Sequence, residues 1–483
     1  MAAPRARRIN VPLRHVAVLC GALLFVLLGN VTRVQVFDAG RWKEHPDNQR
    51  PLLARFDRPR GEIRLRDGTV VATSRERDGK FRHRRVYPGG AVYAPVTGHL
   101  SRYGATGLER AVDAVLSGAA PRVTVRSIMA GTGAGATVGL TIDGRAQRAA
   151  YEALRATGLP GAAVAVDPAT GAILAMASFP SYDPNLYTSF DAEALDHADA
   201  GLQADPARPL LNRAIQQNYP PGSTFKIITG AAALASGGYG PAESVSAPAA
   251  FLLPGTAVRL RNARGSSCGD GDPPLAYAFK TSCNTPFAMM GVELGQDALR
   301  EQAEDFGFND GDLTVPMPVA RSVYPEGMDP AQTALSALGQ FDDRVTPLML
   351  AMISSAVANG GSLMHPHLVR EIRLGDGTVI DKTVPTEYRR ALDSDDALRL
   401  AAMMVTVTQP GGTGTAAAIP GVEVAAKTGT AENAAGEEDH AVFTGFAPAG
   451  SPRVAVGVVV EGGGYGGRVA APVARAIMQA VLR

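Results

Sequence analysis

The chain has 483 residues, of which 46% are hydrophobic and 19% charged, and it carries a net charge of +1. That length calls for two or three domains, and the near-neutral charge leaves no electrostatic footprint for nucleic acid and no charged tail acting at long range. The three cysteines, Cys20, Cys268 and Cys283, are too few for a disulfide scaffold, and no CxxC or Cys/His cluster has metal-ligand spacing, so neither a metal nor a cofactor is expected.

At the N-terminus, His15 to Thr32 contains no Asp, Glu, Lys or Arg, and Val16 to Leu28 is almost wholly apolar. A stretch of this length is near the short end for a membrane-spanning helix, about 17 residues. Arg5, Arg7, Arg8 and Arg14 precede it, and only Arg33 follows closely. The positive-inside rule therefore predicts a cytoplasmic tail over 1–14, a transmembrane signal anchor over 15–33 and everything beyond on the outer side. No A-x-A cleavage site follows the apolar run, where the residues are Leu28-Gly29-Asn30-Val31-Thr32, which favours an uncleaved anchor over a signal peptide. In the oxidising compartment that follows, Cys268 and Cys283 can pair.

Residues 34–135 read as a smaller α+β module. The segment is Arg-rich and broken by turns at Arg58-Pro59-Arg60-Gly61, Asp67-Gly68, Asp78-Gly79 and Pro88-Gly89-Gly90, with short β-like pieces such as Thr69–Ala72. Gly131-Thr132-Gly133-Ala134-Gly135 reads as a junction. From Ala136 the pattern changes. A helix is predicted over Ile142–Leu154, then a hairpin of Ala162–Asp167 and Ala172–Ala177 around a Pro-Ala-Thr-Gly turn. Residues 190–405 read mainly as helices and loops. Strands return at Glu423–Lys427, Val442–Phe446 and Val454–Glu461, and a helix closes the chain over Ala471–Leu482. Strands at both ends with helices between predict one antiparallel sheet flanked by helices, an α/β domain over 136–483.

The sharpest chemical signal lies inside that domain. Lysine occurs only at Lys43, Lys80, Lys226, Lys280, Lys382 and Lys427, and every other basic residue of Lys and Arg is arginine. A surviving Lys has two readings: a place where Arg, always protonated, cannot serve as a base, or a chance survivor of codon bias. Pro220-Pro221-Gly222-Ser223-Thr224-Phe225-Lys226 precedes an apolar run, so a helix is expected to start at or near Ser223. Residues three apart share a helix face, which lets the Ser223 hydroxyl meet the Lys226 amine. Such a hydroxyl is a weak nucleophile until a base takes its proton, and lysine becomes that base when burial or positive potential lowers its pKa. Alone, Ser-x-x-Lys is weak, and an N-cap serine beside a surface lysine explains it equally well. Downstream stands Ser282-Cys283-Asn284, a triplet common in polar loops. Lys427-Thr428-Gly429-Thr430 ends an apolar strand, where Gly429 permits close approach of another group and Lys427 offers a cation. Its bland alternative is an exposed strand end before a turn. Lys280 reads as a solvated helix residue and His440 as packing.

In this order the three elements are the serine acyl-transferase set of penicillin-binding proteins and β-lactamases, and the chain resembles that superfamily beyond its anchor. Arg58-Pro59-Arg60-Gly61 with Asp67-Gly68, and Tyr103-Gly104-Ala105-Thr106-Gly107-Leu108-Glu109, resemble the N-terminal signatures of monofunctional class B penicillin-binding proteins. Ala334-Leu335-Ser336-Ala337-Leu338-Gly339-Gln340 with Thr346-Pro347 resembles the segment before the last motif, and the match is to the actinobacterial penicillin-binding protein A type.

The resemblance implies a peptidoglycan D,D-transpeptidase with a penicillin-recognising fold, acting in division or growth. Ser223 would be the nucleophile and Lys226 its base, Ser282 a proton relay, Asn284 an orienting group and Lys427 an aid to relay and electrostatics. Thr428, Gly429 and Thr430 would bind substrate, and the backbone N–H groups of Ser223 and Thr430 would form the oxyanion hole. Residues 34–135 would be a dimerisation or pedestal module. Implied partners are stem peptides as acyl-D-Ala-D-Ala donor and amine acceptor, β-lactams, the membrane, and a SEDS-type glycan polymerase or division proteins. Two alternatives stay open: a β-lactam hydrolase, and a division scaffold with little catalysis.

Overall fold

The computed structural model describes residues 10–38, 55–129, 135–265, 267–432 and 436–483. The expected junction at 131–134 and most of the 1–14 tail lie outside the described residues. The apolar N-terminal run is helix α1 (Asn10–Thr32), continued to Phe37 by a wider π-helical turn. The span from Val11 to Phe37 is 27 residues long and none of its most apolar window is buried, so by length and composition it can cross a membrane. The helical run extends past the expected 15–33 at both ends and carries Arg14 and Arg33 within it.

Past Pro59 the described residues build two large sheets and three two-stranded ones. Strands β1 (Ile63–Arg64), β2 (Val70–Glu76) and β3 (His83–Val86) form an antiparallel meander. Strand β4 (Thr137–Leu140) joins β1 in parallel. Helix α2 (Gly144–Thr157) follows, its start fixed by Asp143, whose carboxylate accepts from the N–H groups of Arg145 and Ala146. Strands β5 (Gly161–Val166) and β6 (Ile173–Phe179) make the expected hairpin. The middle of the chain is largely helical: α3 (Lys226–Ala235), α4 (Leu275–Lys280), α5 (Thr285–Asp305), kinked at Gly295, and α6 (Pro347–Ala358). It also holds strands that periodicity did not reveal, among them β7 (Val369–Arg373) and β8 (Val379–Lys382). These two complete a six-stranded sheet of order β8-β7-β4-β1-β2-β3, which takes strands from both sides of residue 136. They were illegible because half their residues are charged and β4, the partner of β7, is more than 200 residues away in sequence.

The second sheet positions the chemistry. Strands β9 (Ala425–Ala431), β10 (His440–Ala447) and β11 (Val454–Val460) pair antiparallel with the hairpin in the order β9-β10-β11-β5-β6, before the closing helix α7 (Gly466–Leu482). The sheet is covered on both faces, so its strands read as continuous apolar runs. Ala162, Val164 and Val166 enter one core with α3 and α6, while Ala163 and Ala165 enter the other with α2 and α7. Strand β9 differs from the expected Glu423–Lys427. It begins at Ala425 and runs through Lys427–Thr430 to Ala431, paired residue by residue with β10. The Lys-Thr-Gly-Thr run is thus an edge strand rather than the end of one.

Near the other sheet, the two N-terminal signatures meet. Arg60 Nε and Arg85 Nε each lie 2.6 Å from a different carboxylate oxygen of Glu109, and Arg60 Nη1 reaches Asp113 at 2.6 Å. Glu109 is fully buried. Burial alone would raise its pKa, but the two guanidiniums outweigh it and hold the carboxyl below its ordinary value.

Candidate active site

Ser223 stands on a turn made by its neighbours. Tyr219 and Val345 exchange backbone hydrogen bonds of 2.9 and 2.8 Å just before Pro220-Pro221. Gly222 then takes φ +53, a conformation that glycine adopts without steric cost, and its N–H donates to Gly339 O at 2.9 Å. Gly339 (φ +73) approaches so closely that a β-carbon there would lie 2.1 Å from Gly222 O. Residues Gly222–Phe225 form a 3₁₀ turn, and α3 begins only at Lys226. The expected α-helical start at Ser223 is therefore a tighter turn, set by the two prolines and the anchored Gly222. A 3₁₀ turn has three residues per turn, so positions i and i+3 eclipse, and the spacing of Ser223 and Lys226 keeps its purpose. Ser223 is half-buried, while Gly222, Thr224, Phe225 and Lys226 are buried.

Lys226 is not hydrogen-bonded to Ser223. Its Nζ donates to Ser282 O (2.9 Å), Cys283 O (2.9 Å) and Asn284 Oδ1 (2.8 Å), which takes up the three N–H donors of an ammonium. Ser223 Oγ makes no hydrogen bond among the described residues. Burial holds the Lys226 amine well below the ordinary lysine pKa, and the charge of Lys427 lowers it further.

The acceptors of Lys226 come from the loop between α4 and α5. Ser282 N donates to Phe279 O and Cys283 N to Ala278 O as α4 closes. Ser282 itself sits at φ +59, an uncommon conformation for a residue with a side chain. Several restraints hold it there. Cys283 is bonded to Cys268, with Cα atoms 6.0 Å apart. Buried Asn262 accepts from the N–H groups of Asn284 (2.8 Å) and Thr285 (3.0 Å). Asn284 Nδ2 donates to Arg261 O at 3.1 Å, which leaves Oδ1 facing Lys226.

Strand β9 supplies the third side. Lys427 Nζ donates to Ser282 Oγ at 2.7 Å and to Thr428 O at 3.1 Å. The same Oγ lies 3.5 Å from Lys226 Nζ, so both buried amines converge on one hydroxyl. Burial pushes Lys427 down to about 7. Thr428 Oγ1 and Thr413 Oγ1 are 2.6 Å apart, and Thr430 is half-buried at the strand edge. Gly429 faces the nucleophile turn: a β-carbon there would lie 2.9 Å from Pro221 O and 3.2 Å from Thr224 Cγ2. His440 packs edge-on against Tyr219 and accepts from Gly462 N–H, apart from the lysines. Lys280 ends α4, half-buried. Among the described residues no group of His, Cys, Asp and Glu could hold a metal ion.

Asn262, Thr413 and Tyr219 escaped the sequence reading because none stands in a recognisable spacing with the groups it touches. Gly339 lies in the Ala334–Gln340 segment noted for its resemblance.

Residues 161–479 match the penicillin binding protein transpeptidase domain, and residues 60–140 match the penicillin binding protein A dimerisation domain. The chain is 42% identical to the peptidoglycan D,D-transpeptidase PbpA of Mycobacterium tuberculosis H37Rv and 43% identical to that of Mycolicibacterium smegmatis, each over 98% of this chain and 99% of the relative. It is similar to the solved structure of M. tuberculosis penicillin-binding protein A in its ceftriaxone acyl-enzyme complex, with a TM-score of 0.86 and 42% identity over 89% of this chain and 100% of that one.

Proposed function

The chain belongs to the penicillin-binding protein transpeptidase family, and from that premise we propose that it is a class B peptidoglycan D,D-transpeptidase working through a Ser223 acyl-enzyme. The observation that carries the reading is the convergence of Lys226 and Lys427 on Ser282 Oγ, beside the turn that presents Ser223.

In acylation, Ser223 Oγ attacks the carbonyl of the penultimate D-Ala of a stem peptide. The C–O bond forms, the peptide C–N bond breaks and the terminal D-Ala departs. Lys226 takes the hydroxyl proton. Its low pKa favours the neutral amine this step needs, and once neutral it has one donor fewer and a lone pair with which to accept the proton. Ser282, held by Lys427, passes a proton to the leaving amine. Asn284 orients Lys226 and the substrate amide. Backbone N–H groups of Ser223 and Thr430 take the oxyanion, where one such donor is typically worth about 3 kcal/mol. Thr428 and Thr430 hold the substrate carboxylate, with the Thr413 hydroxyl fixing Thr428. Gly429 lets the strand lie against the nucleophile turn. An acceptor amine then takes the acyl group, and β-lactams enter the same path as substrate mimics.

The remaining assignments follow from this role. Helix α1 anchors the chain as a single pass at 15–33, with 136–483 as an extracytoplasmic transpeptidase domain. Residues 34–135 are a dimerisation or pedestal module that meets a SEDS-type polymerase or division proteins, which places the enzyme in division or growth. The test is reconstituted cross-linking with D-Ala-D-Ala stem peptides and the purified chain. D-Ala release and cross-links must both appear and both vanish in Ser223→Ala. Cross-links that survive the substitution would remove the reading.

A further inference from the structure

We propose that Asp343, buried behind the turn that presents Ser223, is a positioning residue for that nucleophile and acts as a neutral carboxylic acid. The inference rests on the Ser223 acyl-enzyme reading above and adds a group that none of the three motifs contains.

Asp343 and Ser336 are both 0% exposed, and Ser336 Oγ donates to Asp343 Oδ1 at 2.5 Å. Ser336 ends a helix over Pro330–Ser336, so this bond closes the loop that leads from that helix to Thr346. Both ends of the loop hold the nucleophile turn. At one end Gly339 N donates to Ser336 O at 2.8 Å, and Gly339 O accepts from Gly222 N at 2.9 Å. At the other, Val345 and Tyr219 exchange their two backbone hydrogen bonds just before Pro220-Pro221. Tyr324 stacks its ring on Phe225, centroids 5.6 Å apart, and has its hydroxyl beside Ser336. The loop itself is under constraint. Phe341 takes φ +66, a conformation that a bulky side chain keeps only where its surroundings impose it. The Ser336–Asp343 bond is one such restraint, and Arg344 Nη1, which donates to Phe341 O at 3.1 Å, is another. Asp343 is thus the side chain that ties together the two backbone segments gripping Gly222 and Tyr219.

The surroundings decide the state of the carboxyl. Among the described residues Asp343 makes no ion pair, and its Oδ2 has no hydrogen-bond partner. Arg344, next in the chain, directs Nη1 to the carbonyls of Phe341 and Asp343 and Nη2 to the carboxylate of Asp342 at 3.4 Å. The charged and titratable groups that act on Asp343 and its neighbour Tyr324 are Arg344, Asp342 and, from α5, Asp297. That is one cation against two carboxylates. An ionised Asp343 would be a buried charge with a single hydrogen bond, a costly state that a carboxyl avoids by keeping its proton. Burial accordingly holds Asp343 well above the ordinary carboxylate value, by more than Ser336 and Arg344 lower it. A neutral acid can anchor the loop through Ser336 without placing a charge in the core behind Ser223.

The test measures acylation of the full-length protein by a fluorescent penicillin at pH 7, with urea midpoints to confirm folding. Asp343→Val removes the bond to Ser336 and should slow acylation at least about tenfold, since displacing a reacting group by about 1 Å can cost a hundredfold. Asp343→Asn cannot ionise and keeps an acceptor for Ser336 Oγ, so it should recover the rate to within about threefold of wild type. In infrared spectra at pH 7, a carboxylic-acid C=O band should be present in the wild type and missing from Asp343→Asn, a signature that packing alone does not move. If Asp343→Val does not fold, Ser336→Ala cuts the same bond from the other side and takes its place. Wild-type kinetics in the variant that lacks the bond, an Asp343→Asn as slow as that variant, or the absence of an acid band that Asp343→Asn removes would each overturn the proposal. Failure of the wild type to form any acyl-enzyme would instead remove the reading on which it rests.

Discussion

The Cys268–Cys283 bond does more than close a loop, and breaking it should be felt in two separate observables. The bonded residues are 15 apart in sequence, and the chain-entropy model gives about 3 kcal/mol for a loop of that length. Spread over the unfolding entropy of a domain the size of 136–483, that is a fall in Tm of about 4 °C. The second effect is chemical. Ser282 holds φ +59, a conformation that costs roughly 1–3 kcal/mol and persists only where its surroundings over-determine it. Its neighbour Cys283 also offers one of the oxygens around Lys226 Nζ. With the restraint gone, Ser282 relaxes toward ordinary backbone geometry and its hydroxyl leaves Lys427. Loss of one charge-assisted hydrogen bond of about 1.5 kcal/mol or more corresponds to at least a tenfold slower acylation. Cys268→Ala is the clean perturbation, because Cys268 lies outside the motif it tethers. Scanning calorimetry and the acylation rate with a fluorescent penicillin read the two effects, and wild type with reductant serves as a parallel arm. Thiol titration confirms that the bond is broken. If it is broken while Tm and rate both stay at their wild-type values, the loop is held by Asn262 alone and the argument fails.

Acylation should rise with pH along a limb whose midpoint lies well below 10.5, since only neutral Lys226 accepts the proton and both burial and Lys427 favour that form. A flat profile from pH 5 to 10 would contradict this. Lys427, pushed down to about 7 in the folded chain, regains its ordinary value on unfolding. Between those values the unfolded state binds more protons, so this group makes stability rise with pH over that window, readable as urea midpoints in a pH series. Gly429→Ala places a β-carbon 2.9 Å from Pro221 O and should cost about 1–3 kcal/mol together with most of the acylation rate. Unchanged kinetics would show that β9 and the nucleophile turn need not touch. Glu109→Ala leaves buried Arg85 without a counter-ion and Arg60 with Asp113 alone and should cost about 3–5 kcal/mol while the folded fraction still reacts with penicillin. A change below 1 kcal/mol in a denaturant melt would count against that network.

What could be read in advance was local. Ser223 and Lys226 are three apart, and any tight helical turn aligns them, which is why the motif was visible although the turn is 3₁₀ rather than α. The β5–β6 hairpin announced itself through apolar runs around a turn sequence. Ser282 and Lys427 were legible only by resemblance, since they lie 56 and 145 residues from the groups they meet. Strand β9 was misplaced by two to four residues because Lys-Thr-Gly-Thr looks like a strand end, and only pairing with β10 carries it further. Strands β7 and β8 hid behind charge, and Asn262 and Thr413 act through contacts that no spacing encodes. The site was thus recognisable as a set of motifs, while the hydrogen bonds that tune it were not.

Mass spectrometry of the full-length chain after brief exposure to a labelled penicillin addresses the central claim most directly. A single adduct on the peptide that carries Ser223, absent from Ser223→Ala, is the predicted result. An adduct that maps to Ser282 or elsewhere, or no adduct at all from folded protein, would contradict it.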